Sequence, residues 1–354
     1  MSSADKWEGV SVICYTARMK LALKIAPQRS TQYATMTTAL ATPELLVSPL
    51  ASAVSSFTPT TLAGQQYLFV IVDEEHFPLP AMLDVLARLG TISEVYQYFE
   101  QIGEVQGPLL RPLEPHYTPF VPLEMAEARR YKGKTNEIFT RVLLNVALCA
   151  GSYKAQFSGR LRVLDPLAGG GTTLFLALAA GHDAFGIELE QQDVETTAVF
   201  TRQYLEHERI PYKEVDERGR RAGRRYHFEI GHKGNTRVLV LAHGDSTQAD
   251  VHLREVAGGS RMHAIVGDLP YGIQHLGEIS ALLGKALPVW ENLLFPGGTL
   301  ALAWNATRIE RASMRELLER QTHLKVHDEP PYTQFVHVVD RVIKKRDIIV
   351  AVKW

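Results

Sequence analysis

The fold of this 354-residue chain is decided by the stretch D-P-L-A-G-G-G-T-T-L-F-L-A-L-A-A-G at residues 165–181. The segment Arg162-Val163-Leu164 predicts a short buried strand before it, and Thr172 to Ala180 have the composition of a helix. A strand, a glycine turn and a helix form one unit of a parallel α/β sheet. The glycines let the backbone approach a ligand and present the free N–H groups of the helix that follows.

The same alternation continues along the chain. Strands are predicted at 184–187, 238–242, 262–266 and 299–304, with helices at 138–150, 191–206 and 279–294. The segments 323–327 and 347–352 would complete the sheet, with the last strand antiparallel. The pattern predicts an α/β protein with a Rossmann-like, doubly wound sheet of seven strands.

An acidic residue follows four of these strands directly: Asp165, Glu188, Asp245 and Asp268. Ligands of doubly wound sheets bind beyond the carboxyl ends of the strands, where the strand order switches. The four acids should therefore meet at the ligand-binding edge.

The chemistry of these acids indicates the ligand. A carboxylate at Asp165 would repel a pyrophosphate and attract the ammonium group of an amino acid. A dinucleotide fingerprint would also need a third glycine where Leu174 stands. Glu188 is placed to accept hydrogen bonds from two ribose hydroxyls. S-adenosylmethionine combines a ribose with a cationic amino-acid part and has no phosphate. The alternative is a phosphate or NAD turn with coincidental acids.

The order of the motifs resembles that of the S-adenosylmethionine-dependent amino-methyltransferases. The motifs are D-P-L-A-G-G-G-T-T at 165–173, G-I-E at 186–188, G-D-S at 244–246 and D-L-P-Y-G at 268–272. The last is similar to motif IV of that family, Asp/Asn-Pro-Pro-Tyr/Phe. The aspartate version followed by glycine is most similar to the tRNA guanine-N2 methyltransferases, whose catalytic domains often follow a small RNA-binding domain. The resemblance covers residues 125–354.

The resemblance implies a cofactor site for S-adenosylmethionine. Its residues would be Asp165, Gly169, Gly171, Thr172, Glu188, Asp245 and Ser246. Asp165 and the glycine turn would hold the methionine part, and Glu188 the ribose. Asp245 would accept from the adenine amino group.

The resemblance also implies four catalytic residues, Asp268, Leu269, Pro270 and Tyr271. The Asp268 carboxylate and the Leu269 carbonyl would accept the two hydrogens of an exocyclic base amine, while Tyr271 would stack on the flipped base. Two acceptors can aim an amine whose lone pair is delocalised into its ring at the sulfonium methyl group. Leu269 replaces the first proline of the motif, which keeps the carbonyl and loses the rigidity of proline. A plain turn at this stretch is the alternative.

Composition limits the other classes of function. The chain is 45% hydrophobic with a formal net charge of -1, which argues against wholesale, non-specific nucleic-acid binding. Its two cysteines, Cys14 and Cys149, can form neither a disulfide framework nor a four-cysteine zinc site, and the histidines lack partners at ligand spacing, so no metal is expected. With no membrane-length apolar run and no secretory signal, a cytoplasmic protein is expected.

Three basic segments, 129–134, 218–225 and 341–346, could contact a polyanion or form solvated faces. The second lies in an insertion at 208–236, which could bind phosphates or form a mobile, solvated hairpin. Tyr131, Lys132, Arg221 and Arg224 are the residues predicted to bind substrate.

Residues 1–124 are predicted to form a small N-terminal α/β domain, with RNA binding as its suggested role. It has a strand at 67–72, a helix at 79–89, loops and short irregular elements at 31–62, and a proline-rich linker at 108–122. Residues 125–354 would form the methyltransferase domain. The predicted partner is tRNA; a small activating subunit is left open. The alternatives are a DNA adenine-N6 or cytosine-N4 methyltransferase and an inactive RNA-binding scaffold.

Overall fold

A computed structural model describes residues 18–28, 31–115, 117–131, 133–215, 224–256, 258–270, 276–339 and 344–354. Lys132, Arg221 and Tyr271, three of the predicted site residues, lie outside them. The described residues form an N-terminal antiparallel sheet of five strands and a mixed main sheet of nine. No helix in these ranges is long and apolar enough to cross a membrane.

The N-terminal sheet is built from β1 (Arg18–Ile25), β2 (Val54–Leu62), β3 (Gln65–Asp73), β4 (Ile92–Ile102) and β5 (Val105–Leu113), with helices α1 (Thr31–Val47) and α2 (Leu79–Arg88). The strand order is β2-β3-β1-β4-β5, and all neighbours are antiparallel. The connectivity from β1 to β4, strand-helix-strand-strand-helix-strand, is a ferredoxin-like arrangement, to which β5 adds a hairpin.

Two predictions for this region were wrong. Residues 31–62 form α1, a short 3₁₀ helix and the strand β2 rather than loops. Helix α1 holds Pro43 in its interior, yet Leu40 and Leu45 are fully buried, so tertiary packing overrides weak local propensity. The proline-rich linker is also partly a strand, because Pro108 and Pro112 lie in β5 at the edge of the sheet, where proline is tolerated.

The main sheet contains the strands β6 (Arg162–Asp165), β7 (Asp183–Glu188), β8 (Tyr212–Val215), β9 (Arg225–His232), β10 (Asn235–His243), β11 (Met262–Asp268), β12 (Leu294–Asn305), β13 (Lys325–Val326) and β14 (Arg346–Val352). Its helices are α3 (Glu124–Ala128), α4 (Glu137–Ala150), α5 (Thr172–Ala179), α6 (Gln191–His207), α7 (Ala249–His252), α8 (Leu276–Leu293) and α9 (Arg311–Gln321).

The order of the main sheet is β13-β14-β12-β11-β6-β7-β10-β9-β8. The five central strands are parallel, while β14 is antiparallel to both β12 and β13. This confirms the doubly wound sheet with an antiparallel last strand. From β6 the chain adds β7 and β10 on one side and β11 and β12 on the other, so the strand order reverses between β6 and β11.

Two strands go beyond the predicted seven. Strands β8 and β9 pair antiparallel with each other, and β9 pairs with β10 at the sheet edge. The described part of the 208–236 insertion is thus largely built into the sheet and is not a detached hairpin. Residues 216–223, which carry three of its six arginines, lie outside the described ranges.

One apolar cluster extends through both sheets, and a buried carboxylate also joins them. Glu44 in α1 is fully buried and accepts hydrogen bonds from the backbone N–H groups of Gly90 and Thr91 at 2.8 and 2.9 Å. It also accepts from the Thr91 hydroxyl at 2.6 Å and from Asn145 Nδ2 of α4 at 2.8 Å. A buried carboxylate needs such partners because its removal from water is costly unless its oxygens are hydrogen-bonded. The predicted domain boundary at residue 124 stays a prediction.

Candidate functional site

A cavity of about 690 Å³ opens at the carboxyl ends of β6, β7, β10 and β11. Ten of the predicted site residues line it: Tyr131, Asp165, Gly169, Thr172, Glu188, Asp245, Ser246, Asp268, Leu269 and Pro270. Thr135, Thr140, Leu189 and Leu282 also line it, and sequence patterns did not identify them. Its position at the switch in strand order is the expected one for a ligand site.

The glycine turn depends on the absence of side chains. Gly169 and Gly171 have φ values of +50° and +88°, a backbone conformation that residues with a side chain rarely adopt. Gly171 is also the N-cap of α5. A Cβ on Gly170 would lie 2.3 Å from Cε1 of Tyr131. The Tyr131 hydroxyl shares a 2.8 Å hydrogen bond with Thr172 Oγ1, so the ring lies directly against the turn.

Arg129 holds this contact in place. Its Nε donates to the Gly170 carbonyl at 3.1 Å, and its Nη2 donates to the hydroxyls of Thr196 and Thr197 in α6, both at 3.0 Å. Part of the basic segment 129–134 therefore braces the glycine turn.

Glu188 lies at the end of β7 with both carboxylate oxygens engaged. Oε2 accepts from the Gly169 N–H at 2.8 Å, and Oε1 accepts from the Glu190 N–H at 2.9 Å. A carboxylate has about four acceptor positions, so each oxygen can take one more hydrogen bond. This suits a ligand that presents two neighbouring hydroxyls.

Asp165 is the most buried acid of the site, with 3% of its surface exposed. Its Oδ1 accepts from the Leu167 N–H at 3.0 Å. Burial raises its pKa to about 7; the charges of Asp268 and Glu188 add to this, and hydrogen bonds from Thr173 and Leu167 oppose it. A cationic ligand would favour the ionised form.

Asp245 and Ser246 follow β10. Asp245 is exposed, and its Oδ1 accepts from the Thr247 N–H at 2.8 Å. Ser246 is buried, and its carbonyl accepts from Trp290 Nε1 at 3.0 Å. The Gly244 N–H donates to the Glu188 carbonyl at 2.9 Å, which ties the ends of the two strands together.

Asp268 ends β11 on the other side of the cavity. Its Oδ2 accepts from Thr135 Oγ1 at 2.6 Å and lies 2.5 Å from Arg346 Nη2. The next residue, Leu269, is buried, and its backbone N–H donates to the Ala303 carbonyl of β12 at 2.9 Å. Pro270 is exposed at the cavity wall.

The basic residues are placed differently from one another. Arg224 is exposed, forms an ion pair with Glu195 and does not line the cavity. Arg346, in contrast, is buried beside Asp268, so this part of the 341–346 segment is not a solvated face. Within the described ranges, no group of three or more His, Cys, Asp or Glu side chains could hold a metal ion.

No protein-family model and no curated protein matches this chain. Among solved structures, TrmN from Thermus thermophilus is 13% identical, with 95% of this chain and 100% of that chain covered and a TM-score of 0.42. Precorrin-6y C5,15-methyltransferase from Geobacter metallireducens GS-15 is 12% identical, with 64% of this chain and 93% of that chain covered and a TM-score of 0.37. The Methanococcus jannaschii fibrillarin pre-rRNA processing protein is 17% identical, covering 55% and 66%, with a TM-score of 0.33. Similarity this low does not identify a substrate.

Proposed function

We propose that this chain is an S-adenosylmethionine-dependent methyltransferase that acts on an exocyclic amine of a nucleic-acid base, with guanine N2 in tRNA as the favoured target. One observation carries the proposal. A single cavity joins the acids that suit the cofactor, Asp165 and Glu188, to the Asp268–Pro270 segment that suits the amine.

The residues present fit the cofactor. The cavity volume of about 690 Å³ lies in the range of roughly 300 to 1,000 Å³ typical of small-molecule sites. Asp165 would face the ammonium group, Glu188 the ribose hydroxyls and Asp245 the adenine amino group. Bound there, S-adenosylmethionine supplies an electrophilic methyl group. The three acids offer cation attraction and hydroxyl acceptors, the combination that a phosphate-bearing cofactor would not favour.

The opposite wall suits an amine. Asp268 offers a carboxylate and Leu269 a backbone carbonyl. The two residues are adjacent at the end of β11, so the sheet fixes both acceptors relative to each other. Held by two acceptors, an amine has its hydrogens oriented and its lone pair directed away from them. The proton that leaves after transfer can be taken by the carboxylate or by water.

The contacts of Leu269 favour a catalytically active enzyme over an inactive methyltransferase-fold protein. Its N–H pairs with Ala303 and its side chain is buried, so the strand end is held by a ladder hydrogen bond and by packing. These contacts can replace the rigidity that proline would supply.

One observation favours RNA over DNA: the motif order is most similar to that of the tRNA guanine-N2 enzymes. Residues 18–115 contain more Asp and Glu than Lys and Arg. The net charge of the N-terminal sheet therefore does not favour contacts with phosphate groups.

The experiment is to incubate the protein with labelled S-adenosylmethionine and either unmodified tRNA or duplex DNA, then digest the nucleic acid to nucleosides. Label in N2-methylguanosine supports the proposal, and label in N6-methyladenine from DNA overturns it. Cofactor binding without transfer to either nucleic acid favours the scaffold. Asp268→Ala is the matched control: it should abolish transfer, and retained binding of S-adenosylmethionine would show that the variant is folded.

A further inference from the structure

Arg346 is a buried cation beside the proposed catalytic acid. Its side chain is 4% exposed, and its Nη2 lies 2.5 Å from Oδ2 of Asp268, whose side chain is 18% exposed. The guanidinium carbon lies 3.7 Å from the centroid of the Phe139 ring, which covers it from the side of α4. Because β14 is antiparallel to β12, with Arg346 in register with Asn305, the first residue of β14 reaches the carboxyl edge of the parallel strands.

Thr135 approaches the same oxygen from another part of the chain. Its hydroxyl donates to Oδ2 of Asp268 at 2.6 Å, just before α4 begins. Asp268 is therefore gripped at one carboxylate oxygen by groups from two other segments, which restricts rotation of the carboxylate.

His337, which packs beside Arg346, does not provide a second positive charge near Asp268. His337 and Arg346 exchange two backbone hydrogen bonds of 2.9 Å, and the His337 ring lies 4.9 Å from that of Phe139. Burial lowers the pKa of His337 to about 4, with the charge of Arg346 adding to the effect and a hydrogen bond to the Phe335 carbonyl opposing it. His337 is consequently neutral at neutral pH, and Arg346 supplies the positive charge against Asp268.

We infer that Arg346 and Thr135 are positioning residues: they clamp Oδ2 of Asp268 so that the carboxylate meets the substrate amine in one orientation. The inference rests on the proposed function. A misplacement of about 1 Å in a catalytic group can cost about 100-fold in rate. A buried arginine is suited to this task because it is always charged and its planar fork fixes direction as well as charge.

The test is a double-mutant cycle measured on kcat with the tRNA substrate, using Arg346→Gln, Asp268→Asn and the double variant. Arg346→Gln should lower kcat about 10- to 100-fold while the Kd for S-adenosylmethionine changes less than about 3-fold. Asp268→Asn keeps an acceptor oxygen and lacks the negative charge. In that background Arg346→Gln should change kcat less than about 3-fold, because the group through which it acts has been altered.

Two further variants separate positioning from general stability. Arg346→Lys keeps the charge and should recover part of the kcat lost in Arg346→Gln. Arg311→Gln breaks the comparable 3.0 Å ion pair with the buried Asp347, the residue after Arg346, outside the cavity lining. It should lower the unfolding midpoint and change kcat less than about 3-fold.

Additive losses of kcat in the cycle, or equal losses in Arg311→Gln and Arg346→Gln, would overturn the role given to Arg346. Failure of the proposed function looks different, because the wild-type protein would then transfer no methyl group to tRNA. If Arg346→Gln does not fold, Thr135→Val removes the second donor to Oδ2 and should also lower kcat without weakening cofactor binding.

Discussion

The backbone N–H of Leu269 donates to the carbonyl of Ala303 at 2.9 Å, which extends the pairing of β11 with β12 by one residue beyond Asp268. Proline, the residue that the similar methyltransferase motif has at this position, could not make this bond. Leucine at this position thus allows a backbone hydrogen bond that fixes the carboxyl end of β11.

Leu269→Pro should therefore impair the protein even though it restores the family motif. We expect the lost hydrogen bond to lower the free energy of unfolding by about 1 to 3 kcal/mol, because the Ala303 carbonyl loses its donor in a buried place, and the lost leucine packing adds to this. Urea unfolding and kcat should be measured together. Leu269→Ala keeps the N–H and removes only side-chain packing, so the difference in stability between Leu269→Pro and Leu269→Ala isolates the hydrogen bond. A Leu269→Pro variant that is as stable as the wild type and more active would show that rigidity matters more than the ladder bond.

Asp165 predicts a pH dependence of stability. Burial raises its pKa to about 7 in the folded chain, whereas in an unfolded chain it is near 4. The folded chain holds a proton that the unfolded chain releases between these values, so this group lowers the free energy of unfolding as the pH rises through that window.

Asp165→Asn removes that penalty and keeps an oxygen for the Leu167 N–H. At about pH 8 the ligand-free variant should be more stable than the wild type by roughly 2 to 4 kcal/mol, and at about pH 4 the difference should vanish. Binding of S-adenosylmethionine should weaken at least about 10-fold, because the ammonium group loses its carboxylate. Thermal unfolding at both pH values and calorimetric titration measure the two effects. A stability difference that does not change with pH would contradict the titration of Asp165.

Gly170 predicts a steric coupling. A methyl group at this position would meet the Tyr131 ring at 2.3 Å, so Gly170→Ala should push the ring from the glycine turn and weaken cofactor binding about 10-fold or more. The same change in a Tyr131→Ala background should cost much less, because the obstructing ring is absent. Calorimetric titration of the four proteins completes the cycle. Equal losses in both backgrounds would mean that the turn is intolerant for another reason.

The acids of the site were predictable because each one follows a predicted strand in the sequence. Asp165, Glu188, Asp245 and Asp268 follow strands directly, and parallel strands bring their carboxyl ends to one edge whatever conformation the loops adopt. The glycine turn was predictable for a similar reason, since the conformations it needs are encoded in adjacent residues.

Arg346 and Thr135 could not be found in that way. Arg346 lies in the charged run 341–346, whose pattern leaves open a solvated face or a polyanion contact, and the pairing of β14 with β12 together with the Phe139 ring buries it. One signal was present, because an antiparallel last strand must begin at the carboxyl edge of its parallel neighbour. Thr135 had no comparable signal, since its meeting with Asp268 depends on how the chain enters α4.

Charge at the mouth of the site predicts how the substrate is held. Lys344 and Lys345 are exposed directly before β14, at the carboxyl edge of the parallel strands, and the Lys345 N–H donates to Thr307 Oγ1 at 2.7 Å. The described lining of the cavity holds five acids and no lysine, so phosphate contacts of a polyanion would fall on cations outside the lining, such as Lys344 and Lys345.

Replacing Lys344 and Lys345 by alanine should raise the KM for tRNA several-fold and leave the Kd for S-adenosylmethionine unchanged. The slope of log kcat/KM against log salt concentration should become shallower by about 1 for each lysine removed, because each phosphate contact releases counterions. Lys325→Ala is the control, since Lys325 is in register with Val352 at the far end of β14 and should not alter the slope. An unchanged slope in the lysine variants would place the phosphate contacts elsewhere on the chain.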